Sequence, residues 1–314
     1  MLRQGVNPGD RAVMLLKIIY VTGYGRSGST LLDMMLGSQP GVFGAGEMST
    51  ICRHVWPNDE FCACHQRVRA CSLWSEIMDE WQQGGIDTAA HARLQQQIEP
   101  VIAPRRSLGG AAANRYAAET LALFRITAAQ IGRPVLVDSS KSPGRALALA
   151  SGAAAAGIDF RAIHLVRDPR AVAFSMSKPM KIDTQAGVQK QIRSHPAWRT
   201  ALRWNYVNAG ADALMRRLPA DHGIRVRYED LVASPADTIT RIGAAMGLDL
   251  EALGADIAAG GHIAAEHQVA GSRIRMSGPM ALKADLRWQD RMTPAAQRQV
   301  ERISGARMRG YGYA

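Results

Sequence analysis

Residues 23–30 read GYGRSGST and follow the apolar run IIYVT. A glycine-rich turn between a strand and a helix turns backbone N–H groups outward at the positive end of the helix dipole. That arrangement binds anions, phosphate above all. The spacing approaches the nucleotide pattern G-x-x-x-x-G-K-[ST]. Gly23, Gly28 and Thr30 are in place, but Ser29 stands where the lysine belongs. The strong cation is Arg26, in the middle of the loop. Backbone N–H groups of Gly25, Arg26, Ser27, Gly28, Ser29 and Thr30 can cradle one phosphate. An ordinary glycine-rich turn is the alternative, and the strand-loop-helix setting speaks against it.

The elements that must position this loop follow from hydrophobic periodicity. KIIYVT (17–22) reads as a buried strand, 27–36 as the helix after the loop, SQPG (38–41) as a turn, and VFGAGE (42–47) as a short strand ending at Glu47. Residues 73–131 look helical, with breaks at Gly84-Gly85 and Pro104. In 133–150 a strand and a polar loop precede a helix whose N-cap is Ser142 and whose first position is Pro143. Residues 160–176 repeat the design, with a strand to Arg167, Asp168 as cap and Pro169 starting the helix. Residues 224–247 give a strand and a helix begun by Ser234 and Pro235, and 196–218 and 294–308 are helical. Alternating strands and helices predict an α/β, P-loop-like three-layer fold: a central, mostly parallel sheet flanked by helices. Such sheets bind ligands at the C-terminal ends of their strands. Arg26, Glu47, Lys141 and Arg167 all follow predicted strand ends, so one pocket can hold all four.

The 314 residues carry a formal net charge of +11, with 47% hydrophobic and 6% aromatic residues. The length suits one large domain, here 17–314 after a leader at 1–16. The charge favours anionic partners. No basic run is interleaved with stacking aromatics, so the reading is an arginine-lined anion pocket and no nucleic acid. No apolar stretch approaches a membrane span, and no secretory layout is visible, which gives a cytoplasmic expectation.

The loop resembles the 5'-phosphosulfate-binding loop of the sulfotransferase family, in which Arg or Lys precedes Ser-Gly-[ST]-[ST]. HLVRDPRAVAFSM (164–176) is similar to that family's 3'-phosphate segment, and YEDLVASPADTITRI (228–242) to its recurrent Tyr-Glu-Asp-Leu helix entry. HQVAGSRIRMSGPMALKADLRWQDRM (267–292) and YGY (311–313) resemble C-terminal segments of bacterial members. The nearest likeness is to the bacterial group and to the Golgi glycan and tyrosylprotein enzymes. The resemblance implies 3'-phosphoadenosine 5'-phosphosulfate (PAPS) as donor. Its single 5'-phosphate needs no loop lysine and no bridging Mg²⁺, so no metal is required. Arg26 would then meet the bridging oxygen where charge grows, Lys141 in DSSKSP would contact the leaving group, and Glu47 in GAGEMS would be the general base. Each has a plainer alternative, namely a surface anion contact, a surface lysine and a salt-bridged carboxylate. Arg167 and Ser175 would take the 3'-phosphate, although Arg167 can instead pair with Asp168 or Glu229. Tyr228 joins the donor site. Gly271, Arg273 and Arg275 would close over the 3'-phosphate, with Ser272 in the family's usual Asn place.

The implied acceptor is a hydroxyl of a glycan or small molecule, held by helical insertions around 50–130 and 178–215. Arg193, Arg199 and Arg203 can meet an anionic glycan, and Trp74, Trp81, Trp198 and Trp204 can stack on a sugar or phenol. Two other functions fit parts of the sequence: a P-loop kinase or nucleotide hydrolase, and a non-catalytic polyanion-binding module. Ser29 in the lysine place and the lack of a clear metal-binding carboxylate weigh against the first. All four cysteines, Cys52, Cys62, Cys64 and Cys71, lie near His54 and His65. Zinc, a disulfide or a merely buried cluster all remain open, because paired Cys-x₂-Cys spacing is missing.

Overall fold

The structure, a computed structural model, describes residues 15–100, 109–179, 181–184, 188, 191 and 193–313. The expected leader up to residue 14 and the expected break at Pro104 lie outside these. Leu16 is already part of the folded body, buried and accepting a hydrogen bond from the Asp159 N–H.

Five strands form one parallel sheet: β1 (Lys17–Thr22), β2 (Val42–Gly46), β3 (Val135–Lys141), β4 (Asp159–Val166) and β5 (Gly223–Arg227), in the order β2-β3-β1-β4-β5. Alternation along β1 divides the core. Ile18 and Tyr20 join Phe43, Leu136, Trp74, Trp81 and Phe124 on one face. Ile19 and Val21 join Leu31, Val137, Ile163, Ile239 and Ile242 on the other. Strands buried on both faces need apolar residues at nearly every position, which is why β1 reads as a continuous apolar run. The three-layer expectation holds.

Several helices begin at side-chain caps that the sequence marks. The Ser142 side chain accepts from the Arg145 N–H at 3.3 Å ahead of helix Pro143–Ala155, and Asp168 accepts from Arg170 N–H at 2.7 Å ahead of helix Pro169–Met176. Gly132, at φ 68°, ends helix Ala111–Ile131 in the left-handed conformation that glycine adopts without strain. Helix Pro235–Met246 starts as expected, with Ser234 at its N-cap and Pro235 first, although Ser234 makes no side-chain capping hydrogen bond and the short helix Tyr228–Ala233 runs into it. Two expectations need correction. The polar DSSK stretch belongs to β3 rather than to a loop, since its ladder with β1 continues to the Thr22–Lys141 pair. β4 ends at Val166, one residue before Arg167.

The sheet register slips twice at its C-terminal edge, between Tyr20 and Thr22 against β3 and between Gly44 and Gly46 against β3. Bulges there redirect side chains out of the regular pleat. Lys141 at φ 69° and Gly46 at φ 80° are the results, and both border the site.

Candidate active site

The glycine loop joins β1 to α1 (Ser29–Gly37). Two of its glycines are required by space. A Cβ on Gly23 would stand 2.3 Å from the Leu165 carbonyl oxygen, and one on Gly28 would stand 2.6 Å from the Tyr228 ring. Gly28, at φ 94°, is also the N-cap of α1. The first helical N–H groups therefore point out of a turn with no room for side chains, as an anion cradle needs. The Ser27 hydroxyl is buried in this loop without a hydrogen-bond partner. Arg26 takes a left-handed φ of 67°, an uncommon position for a residue with a side chain. Burial pulls its guanidinium below the ordinary value; Glu47 opposes that shift and Arg273 adds to it.

Glu47 and Lys141 arrive from the neighbouring strands. Glu47 follows β2, and its backbone N–H donates to the Val269 carbonyl at 2.9 Å. Its Oε1 lies 2.5 Å from Lys141 Nζ, and each side chain is about one-fifth exposed. Lys141 Nζ also donates to the Ser139 carbonyl at 3.0 Å. Gly271 sits over the same point. A Cβ there would be 2.9 Å from Thr30 Oγ1 and 3.4 Å from Glu47 Oε1, and the Ser272 N–H donates to Thr30 Oγ1 at 3.1 Å. Arg26, Glu47, Lys141, Thr30 and Gly271 thus surround one spot, although 245 positions separate Arg26 from Gly271.

The residues expected at the 3'-phosphate are distributed differently. Arg167 pairs with neither Asp168 nor Glu229. Its Nη1 donates to the Arg26 carbonyl at 3.1 Å, its Nη2 to the Asp285 carbonyl at 2.7 Å, and its guanidinium lies 4.3 Å over the Tyr228 ring. Its Nε has no partner. Tyr228 Oη accepts from the Asp285 N–H at 3.2 Å. Ser175 is half-buried on helix Pro169–Met176. Arg273 is exposed and close enough to influence Arg26. Arg275 points the other way; it is 2% exposed, and its Nη2 donates to the Phe61 carbonyl at 3.0 Å.

Three of the four tryptophans expected to meet an acceptor are core residues instead. Trp74, Trp81 and Trp204 are buried, with ring N–H groups on the carbonyls of His267, Glu119 and Arg167. Large apolar rings with one internal hydrogen bond are cheapest inside. Trp198 alone among these four is exposed, at 46%.

Sequence reasoning missed Asp33. This α1 carboxylate is fully buried, accepts from the Gly46 N–H at 3.1 Å and from the Gln268 side-chain amide, and leaves no room for a Cβ at Gly44. Burial pushes its pKa up to about 7. Its visible signal was a lone carboxylate inside the apolar run STLLDMML. Arg145 was missed as well; it is buried against Asp138 at 3.0 Å, Glu99 at 3.4 Å and the Tyr116 hydroxyl, and it braces the middle of β3.

The family model described as the sulfotransferase family matches residues 19–252. The chain belongs to the sulfotransferase family. Among solved structures, the sulfotransferase domain from the curacin biosynthetic pathway aligns with a TM-score of 0.52 at 17% identity, over 96% of this chain and 99% of that one. At this identity the likeness establishes the sulfotransferase fold alone. The sulfotransferase domain of the Synechococcus PCC 7002 olefin synthase gives 0.49 at 22% identity, over 95% and 94% of the two chains. A sulfotransferase from Mycobacterium avium gives 0.48 at 14%, over 96% and 78%. No curated protein matches the chain. Among the described residues, no helix of this sulfotransferase is long and apolar enough to cross a membrane.

Proposed function

We propose that the protein transfers a sulfuryl group from PAPS to a hydroxyl of a glycan or small-molecule acceptor. The observation that carries this reading is the 2.5 Å contact between Glu47 Oε1 and Lys141 Nζ at the mouth of the glycine loop. A base and a cation stand together where the 5'-phosphosulfate would end.

The N–H groups from Gly25 to Thr30 hold the 5'-phosphate. Glu47 removes the acceptor proton as the acceptor oxygen attacks sulfur. The sulfur–oxygen bond to the phosphate breaks, and its electron pair stays on the phosphate oxygen. Arg26 and Lys141 offset that growing charge. Lys141 shifts from Glu47 to the leaving oxygen, which frees the carboxylate for the acceptor. The products are the sulfated acceptor and 3'-phosphoadenosine 5'-phosphate. Positioning and electrostatics supply the acceleration, since no covalent enzyme intermediate is needed.

Arg167 and Ser175 belong to the donor's 3'-phosphate end in this reading. Tyr228 supports them by stacking beneath Arg167 and walling off Gly28. Arg273 closes the site from the exposed side, and Arg275 holds the closing segment from beneath. The Asp285 carbonyl now on Arg167 Nη2 gives way to the phosphate.

Calorimetric titration separates this reading from a kinase or hydrolase. The expected result is tight binding of 3'-phosphoadenosine 5'-phosphate, weaker binding of adenosine 5'-phosphate, and poor competition by ATP with Mg²⁺. Preferential binding of ATP with Mg²⁺ contradicts it. Equal displacement of every nucleotide by heparin favours a polyanion-binding module.

A further inference from the structure

The fold groups the cysteine-rich segment differently from its order in the sequence. Cys52 lies apart, and neither His54 nor His65 joins the others. Instead Cys62, Cys64 and Cys71 meet His267, which comes from the far end of the chain, and their four ligand atoms all lie within 4.8 Å of one another. Cys64 Sγ is 3.6 Å from Cys71 Sγ, and His267 Nδ1 is 3.7 Å from Cys62 Sγ and 3.3 Å from Cys71 Sγ. With Zn–S near ~2.3 Å and Zn–N near ~2.05 Å, a tetrahedral ion has S–S edges of ~3.8 Å and S–N edges of ~3.6 Å. The observed separations are those edges to within a few tenths of an ångström.

From this geometry we propose that Cys62, Cys64, Cys71 and His267 bind a structural zinc ion. Three thiolates and one neutral imidazole fill a tetrahedron and leave no open position, which is the pattern of a structural rather than a catalytic zinc site. Binding breaks three S–H bonds, releases three protons to solvent and forms three Zn–S bonds and one Zn–N bond, with no change of oxidation state. The residual charge of the filled site is −1. The buried Arg275 guanidinium lies against the same loop, bonded to the Phe61 carbonyl next to Cys62, and compensates that charge. The loop is already bent to present its sulfurs: Cys62 N–H donates to the Gln66 carbonyl at 2.9 Å and His65 N–H to the Cys62 carbonyl at 3.0 Å. Cys71 is the N-cap of helix Ser72–Gln83, where the helix dipole favours a thiolate.

The ion clamps the 60–71 loop to the segment that lines the active site. Ala63 N–H donates to the Gln268 carbonyl, Val269 N–H to the Ala45 carbonyl and Glu47 N–H to the Val269 carbonyl, at 2.9–3.1 Å. Gly271 follows, over Thr30 and Glu47. The clamp thus fixes the backbone leading into Glu47, independently of which donor or acceptor the enzyme uses.

Elemental analysis of the full chain, purified under reducing conditions without chelator and reconstituted with zinc, tests the site. About one zinc per chain is expected. Cobalt substitution should give sulfur-to-cobalt charge transfer and the intense visible bands of a tetrahedral ion. Cys64→Ser, at the half-exposed ligand, should weaken zinc by more than the roughly 10–100-fold that losing an outer hydrogen-bond partner costs. Cys52→Ala should keep the full zinc content. No zinc above background in a folded, fully reduced protein overturns the proposal. So does a Cys64–Cys71 disulfide in the reconstituted protein, or undiminished zinc affinity in Cys64→Ser.

Discussion

In the proposed reaction Glu47 and Arg26 face the same point with opposite duties, and substitution separates them. Glu47→Gln keeps shape and hydrogen-bonding capacity but cannot accept the acceptor's proton. Donor affinity should be unchanged while single-turnover transfer falls by about 10²–10⁴. A phenolic acceptor should lose less than an alcohol, because it sheds its proton more readily. Both quantities are measured on one preparation by donor titration and rapid quench. Lost donor binding would make Glu47 a residue that orders the loop. Arg26→Ala removes a preorganised donor at the leaving oxygen and should cost about 2.7–4 kcal/mol in turnover, with the folded far-ultraviolet spectrum retained. Near-normal turnover in that variant would take Arg26 out of the mechanism. The roles proposed for these two residues came from the family resemblance, while their neighbourhood was legible before the structure from the glycine loop and the strand ends. The Glu47–Lys141 contact was not, since it depends on two register slips at the sheet edge. Nor was the orientation of Arg275, since alternate residues of a short tight turn can face either way and only packing against Phe61 decides it.

At the level of elements, α1, the end of β2 and the 267–271 segment are joined through Asp33. Its pKa of about 7 lies above the ordinary carboxylate value of 3.8. Between those values the folded chain keeps a proton that the unfolded chain releases. Stability from this group is therefore complete at low pH and is lost as pH rises towards 7. Asp33→Asn keeps a neutral side chain at every pH. Its stability relative to wild type should rise across pH 4–7 and level off above. His164, held down to about 4 by burial, acts with the opposite sign below pH 6.5. The difference between variant and wild type, from denaturant melts across pH, is therefore the quantity to read. A difference independent of pH would show that Asp33 is ionised throughout. Strand-helix alternation was readable along most of the chain because buried parallel strands are apolar at nearly every position. The two-residue strands His262–Ile263 and Met280–Ala281 were not, being too short to show a period. His267 escaped for a different reason: no sequence spacing links it to cysteines about 200 positions earlier.

The whole molecule carries a formal net charge of +11, and one helix offers a candidate surface for the proposed acceptor. On Ala197–Met215, Trp198, Leu202 and Tyr206 are exposed at four-residue intervals and form one apolar stripe. Arg199 and Arg203 flank it and reach electrostatically to Tyr24 of the glycine loop. Trp198→Ala should raise the acceptor KM severalfold, with donor affinity and stability unchanged, in steady-state kinetics and donor titration. An unchanged KM would place the acceptor elsewhere. The central claim is sulfuryl transfer, and one measurement meets it directly. PAPS labelled at its sulfur is incubated with the protein and a pool of hydroxyl-bearing glycans and small molecules. The label should move into an acceptor with equal formation of 3'-phosphoadenosine 5'-phosphate, and Glu47→Gln should suppress both. Label that stays on the donor, in a protein that instead releases phosphate from ATP, would contradict the account.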